Sequence, residues 1–221
     1  MSMTRRILGA AAVAALIAAS ATVAMAQQMA PQGAAPAAAP ANPPVRIRGT
    51  IEKVDGSMLT IKARNGETMQ VKLADNPRIT AMVKAQVADI KEGSFIGVTA
   101  MPQPDGSQKA IGLHIFMDAQ RGVVPARFSP WDREPGSTMT NADVTSTVAS
   151  VDGQTMTVKY SDGEKKVIVP PNTPVVKFVP GNADDLKPGA QFIIIAAQKG
   201  ADGSLTAPAI NVGRDGAAPP M

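Results

Sequence analysis

The chain has no cysteine among its 221 residues. That excludes disulfide staples, a thiolate metal site, a cysteine nucleophile and a lipid-modified N-terminal cysteine in one step. Aromatic residues make up 3% of the chain, with one tryptophan and one tyrosine, and there is a single histidine. After residue 26 no apolar run approaches the roughly 20 residues that a bilayer-spanning helix needs. Charge of one sign is also lacking: without Arg5 and Arg6 the chain carries 20 basic against 18 acidic side chains, too even a balance for a nucleic-acid binder. Gly-rich phosphate cradles, nucleophile elbows and zinc-ligand spacings are missing as well.

What is there begins with MSMTRRILGAAAVAALIAASATVAMA: an arginine pair, an apolar Ala-rich run and then Ala24-Met25-Ala26. This three-part pattern predicts a secretory signal peptide cleaved after Ala26 and a mature protein in the periplasm. Thr4-Arg5-Arg6-Ile7-Leu8 partly matches a twin-arginine signal, and the export route stays open between that and ordinary secretion. Residues 27–44 are almost wholly Ala, Pro, Gln, Gly and Asn, which predicts a disordered spacer; residues 214–221 predict a disordered tail on the same ground.

Between these ends the sequence repeats. TIEKVDGSMLTIKARNGE, from Thr50, returns as TVASVDGQTMTVKYSDGE, from Thr147, with eight of eighteen positions identical. Pro77 falls on Pro174, and Asp105-Gly106-Ser107 on Asp202-Gly203-Ser204. Asp-Gly and Asn-Gly pairs between short alternating runs are hairpin signals. The reading is an all-β protein of two tandem five-stranded OB-like barrels, with small antiparallel β-sandwiches as the alternative. The domains are expected at 45–117 and 144–213, joined by a linker at 118–143. Alternation turns Leu59, Ile61 and Ala63 inward, like Met156, Val158 and Tyr160, and puts Thr60 and Lys62 outside.

Few residues suggest chemistry. His114 falls on the face opposite Leu113 and Ile115 and is expected at the surface; one histidine makes a poor metal site. Met58, Met69, Met82, Met101, Met117, Met139 and Met156 stand singly and are expected as core filler or solvent-side residues. Asp55, Asp105, Asp152, Asp162 and Asp202 each precede glycine, which is turn chemistry and not a calcium loop. No catalytic residue, cofactor or metal ligand is assigned; an enzyme would need a carboxylate pair assembled across the two domains. The linker breaks the repeat and holds Phe128 and Trp131. These two are the candidate partner contacts, against the alternative that Trp131 folds back to anchor the domains to each other.

With its repeated VDG, its DGE, its D-[IL]-K-x-G turn and its late DGS, the chain resembles a family of exported bacterial proteins built from small tandem β-domains of unknown function. Relatives of this kind are sometimes labelled metal transporter permeases, a label the lack of spanning helices opposes. Periplasmic copper-chaperone barrels are similar in fold, but their His and Met ligand cluster is missing here. The resemblance implies a fold and no site. The expected function is a non-enzymatic periplasmic binding or interaction module, its partner an unknown periplasmic protein or small ligand. The alternative is a metal-binding chaperone or accessory factor of a metal transport system.

Overall fold

A computed structural model describes residues 43–150 and 153–221. The expected signal peptide and nearly all of the expected spacer lie outside them, as do Val151 and Asp152. The chain is all-β, and its strands are β1 (Val45–Asp55), β2 (Met58–Ala63), β3 (Thr68–Ala85), β4 (Phe95–Pro102), β5 (Gln108–Ile115), β6 (Phe128–Pro130), β7 (Thr138–Ser150), β8 (Gly153–Tyr160), β9 (Gly163–Val169), β10 (Val175–Pro180), β11 (Gln191–Lys199) and β12 (Leu205–Gly213). Among the described residues no helix is long and apolar enough to cross a membrane.

The hairpins follow the turn residues. Gly56, Gly66, Gly106 and Gly203 all have positive φ, the backbone state that the Asp-Gly and Asn-Gly pairs supply without a Cβ clash. Alternation then fills the interior: Leu59, Ile61, Met156 and Val158 are fully buried, while Lys62 and Lys159 are exposed.

The strands form two closed rings, and each ring draws on both copies of the repeat. In the first, β1 pairs with β2, β2 with β3, β3 in parallel with β12, β12 with β11, and β11 with β1. In the second, β7 pairs with β8, β8 with β9, β9 in parallel with β5, β5 with β4, and β4 with β7. Both have the first-second-third-fifth-fourth order of an OB-type barrel. The last two strands of each come from the other copy. Each ring thus takes its last two strands from outside its own expected segment, 45–117 or 144–213, so a ring and an expected domain do not coincide.

Strand β3 makes the exchange. It has 18 residues where its neighbour β2 has 6. At about 3.3 Å per residue it runs on the order of 60 Å, well past the wall of its own barrel. Its far half pairs antiparallel with β10, from Val175↔Ala85 to Pro180↔Thr80, and β10 also lies parallel to β5. These paired stretches are counterparts in the repeat, so the copies meet through the same strand about a local two-fold axis. The repeat pattern around Asn76-Pro77 reads as a break after Leu73, and Pro170-Pro171 likewise hides β10. In fact Asn76 adopts a left-handed conformation (φ 53) and the strand continues through it.

Three clusters make the core. Ile51, Leu59, Ile61, Phe192, Ile194 and Ile210 are among those filling the first ring. Ile96, Val98, Leu113, Met156 and Val158 belong to the second. Between the rings lies a hub of Met82, Phe95, Phe116, Met139, Val176, Phe178, Ile193, Ala217 and Met221. Residues 214–221 thus pack rather than trail. Gly112 and Gly213 make room for this tail, since a Cβ at either would run into the carbonyl of Pro220 or of Ala217. The tail is also pinned at its start by Arg214, which donates to both oxygens of Asp185 at 2.7 and 2.9 Å.

Exchange has a direct test. Val123 is 66% exposed, next to the turn glycine Gly122. A protease site inserted there and cut in the folded protein is expected to leave both pieces together on size-exclusion chromatography, because β11 and β12 close the ring of β1–β3. Separation without denaturant would show that this pairing does not hold the molecule.

Candidate functional site

The start of β1 reads Val-Arg-Ile-Arg, and alternation that buries Ile47 turns Arg46 and Arg48 to the outer face of the first barrel. The β1–β2 register pairs Gly49 with Ala63, and the amide of Arg64 donates to the carbonyl of Arg48 at 2.8 Å, so Arg64 stands across from Arg48. Beyond that bond β2 ends, leaving a cleft of about 630 Å³ lined by Arg46, Arg48, Arg64, Glu67, Asp132 and Lys199 among others. In the second barrel the corresponding stretch is filled: β6 pairs with Thr138–Thr140 at the start of β7, ahead of the β8 pairing that begins at Asp143.

The loop that follows β6 brings Asp132 into the cleft's lining. Trp131 packs at the edge of the hub, and the Arg46 guanidinium lies 3.7 Å from its ring centroid. Asp132 accepts from Arg48 at 2.7 Å and ion-pairs with Arg46 at 2.8 Å. Partial burial opposes the charge of Asp132, but hydrogen bonds from Arg48 and Arg46 outweigh it and hold the carboxyl at about 2. Arg48 is held twice, since its Nε also donates to the Met221 carbonyl at 2.8 Å. Arg64 donates to the Arg133 carbonyl at 3.2 Å, and burial together with the nearby Arg64 charge lowers the pKa of Arg133.

Of the two candidate contact residues, Trp131 is thus engaged within the molecule and supports Arg46. Phe128 sits on β6, with Tyr160 6.2 Å away between centroids and the Lys165 ammonium 5.1 Å from its ring. The two rings have different neighbours. The arginines were missed because Arg64 and Arg133 are far from Arg46 and Arg48 in the sequence; the Arg-x-Arg spacing of the first two on one strand face was the available signal.

His114 departs from expectation. It is 2% exposed, edge-on to Phe116 at 4.6 Å and tilted against Phe178 at 5.1 Å. Alternation did point it away from the barrel interior, but that outer face is covered by the hub. Its Nδ1 is buried without a partner, and a Cβ at Gly97 would run into the ring. Desolvation lowers its pKa from 6.5 to about 3. The hub also holds Met82, Met139 and Met221, with Met117 packed against its edge, although the sequence shows them singly. The turn carboxylates behave as expected: Asp105 and Asp202 each accept from the serine two places on, at 2.6 Å to the hydroxyl and 3.0 Å to the amide. Among the described residues no group of three or more His, Asp or Glu is placed to hold a metal ion.

No protein-family model, curated protein or solved structure matches the chain.

Because His114 is the only histidine, its burial has a separable signature. The unfolded chain takes up this proton near pH 6.5, and the folded one resists until about 3. Stability is therefore full above pH 6.5 and falls with pH below it, by up to about 1.4 kcal/mol per unit. The lowered carboxylates such as Asp132 add their loss only below about 4. His114→Leu is expected to flatten the decline between pH 6.5 and 5 in urea midpoints; an unchanged slope would place the proton elsewhere.

Proposed function

We propose that the protein is a non-enzymatic binding module of the periplasm that takes a small ligand in the arginine-lined cleft on the first barrel. The observation that carries this reading is the Arg46, Arg48, Trp131 and Asp132 cluster, in which an aromatic ring and a carboxylate fix two guanidiniums at the rim of an open cleft. Fixed guanidiniums lose less freedom on binding than mobile ones, so they favour recognition. The cleft's volume lies within the ordinary range of small-molecule sites. Its position agrees with the fold by analogy: it borders β2, β3 and the turn between β11 and β12, the strand face and loop with which OB barrels bind ligands. The Arg pair, apolar run and Ala-Met-Ala at the start of the chain support the periplasmic setting.

Trp131 is the only tryptophan and is stacked on Arg46, so it reports on the cleft through that guanidinium. A panel of small carboxylates, phosphorylated compounds and short oligosaccharides, titrated while its fluorescence is followed, is expected to yield at least one saturable change. Arg46→Gln should weaken that response about tenfold or more, the loss of one charge-assisted contact. If no member changes the emission or the amide resonances of the cleft, this reading fails.

The metal-chaperone reading has one observation in its favour, the gathering of Met82, Met139 and Met221 in the hub near His114. Thioethers with a neutral imidazole suit copper(I). Under the binding-module reading, anaerobic copper(I) titration gives no stoichiometric complex. One equivalent bound and then lost in Met82→Leu would favour the chaperone instead.

A further inference from the structure

The wall beyond Arg48 narrows the ligand class. Here the outer faces of β11, β1 and β2 line up in register, with Gln191 and Lys62 both paired to Thr50. Between this floor, Arg133 of the loop and Pro219 of the tail lies a recess of about 330 Å³. Arg48, Lys62, Arg64 and Arg133 line it, and among the described residues no carboxylate does. Asp132 lines only the larger cleft, where Arg46 and Arg48 share its single negative charge.

Resting on the reading of the cleft as a binding site, we propose that this recess binds the phosphoryl group of a small phosphorylated molecule, with Arg48, Arg64 and Arg133 as guanidinium ligands and Lys62 as a fourth positive charge. Thr50 and Gln191 supply neutral hydrogen-bonding groups on the floor.

Three observations carry the assignment. First, like charges opposite each other on neighbouring strands are destabilising, and Arg48 stands across from Arg64 with a third arginine over them. An anion between them turns that repulsion into attraction. Second, the Nε of Arg133 is buried with no hydrogen-bond partner, a donor whose desolvation is uncompensated. Burial and the Arg64 charge disfavour the Arg133 cation, which a bound dianion would favour again. Third, guanidinium forks match phosphoryl oxygens bidentately, and, with Arg48 shared with Asp132, the charges of Lys62, Arg64 and Arg133 around a small volume suit a group carrying close to two negative charges better than a single carboxylate.

The test is calorimetric titration of the full mature chain with pyrophosphate, and with citrate at matched ionic strength, alongside amide spectra to locate each. Saturable binding of one pyrophosphate per chain is expected, weakened at least tenfold in Arg64→Gln and in Arg133→Gln. Arg78→Gln, an exposed arginine of β3 outside the recess, should bind as the wild type does. Arg64 is exposed, so its variant carries the test even if Arg133→Gln fails to fold. Citrate binding as tightly as pyrophosphate, or an Arg78→Gln loss equal to that of Arg64→Gln, overturns the phosphoryl assignment. If citrate but not pyrophosphate perturbs the cleft, the assignment falls while the cleft remains a binding site. If neither perturbs it and the wider panel is also silent at Trp131, both fall.

Discussion

The antiparallel pairing of β3 with β10 is the constraint on which the rest of the molecule depends. It carries each copy's chain out of one barrel and delivers the following hairpin to the other, so neither ring can close within its own repeat. The consequence is long-range. Gly49 pairs with Phe192, and the first barrel cannot be completed until nearly the whole chain is present. Such contacts require large loops to be ordered before the contacts repay them, which makes for slow and highly cooperative folding. A duplicated chain in which equivalent strands pair about a two-fold axis has the geometry of a strand-exchanged homodimer joined into one polypeptide.

That junction also explains where scarce residues went. The ring interiors are filled chiefly by the branched Ile, Leu and Val, with the small Ala between them, shapes that suit a small barrel. Three of the five phenylalanines, Phe95, Phe116 and Phe178, lie instead in the hub with flexible methionines beside them. A surface where two barrels, a loop and a tail converge is irregular, and large rings and thioethers fill irregular space. His114 is buried there because it shares this face. Its neutral ring behaves as another aromatic, at the expense of one unpaired nitrogen.

Local features were legible in the sequence, and pairings were not. Asp-Gly and Asn-Gly marked the hairpins because turn geometry is decided by two or three residues. Alternation placed Leu59, Ile61, Met156 and Val158 because strand faces have period two. Nothing local distinguishes a hairpin that closes its own ring from one that closes another's, so the exchange was invisible. The tail misled because Ala and Pro suggest too little to bury, yet Met221 is 3% exposed on a surface kept open by Gly112 and Gly213. The cleft was hidden by averaging. Arg46, Arg48, Arg64 and Arg133 are spread over almost ninety positions, and a nearly balanced net charge gives no sign that folding collects them.

The duplication finally separates what the fold needs from what a site needs. In the first barrel Ile51 pairs with Ile61, and in the second Val144 pairs with Val158. Counting back along each strand puts Met139 and Asn141 where the first barrel has Arg46 and Arg48, and the repeat puts Ser161 where it has Arg64. The second barrel thus keeps the ring and the core while holding no arginine at these positions, and β6 occupies the space that the cleft occupies in the first. Arginines required for barrel closure would be needed in both copies. Their restriction to one, on the wall left open and beside the loop that has no counterpart in the repeat, separates them from barrel closure and agrees with the binding role proposed for the cleft.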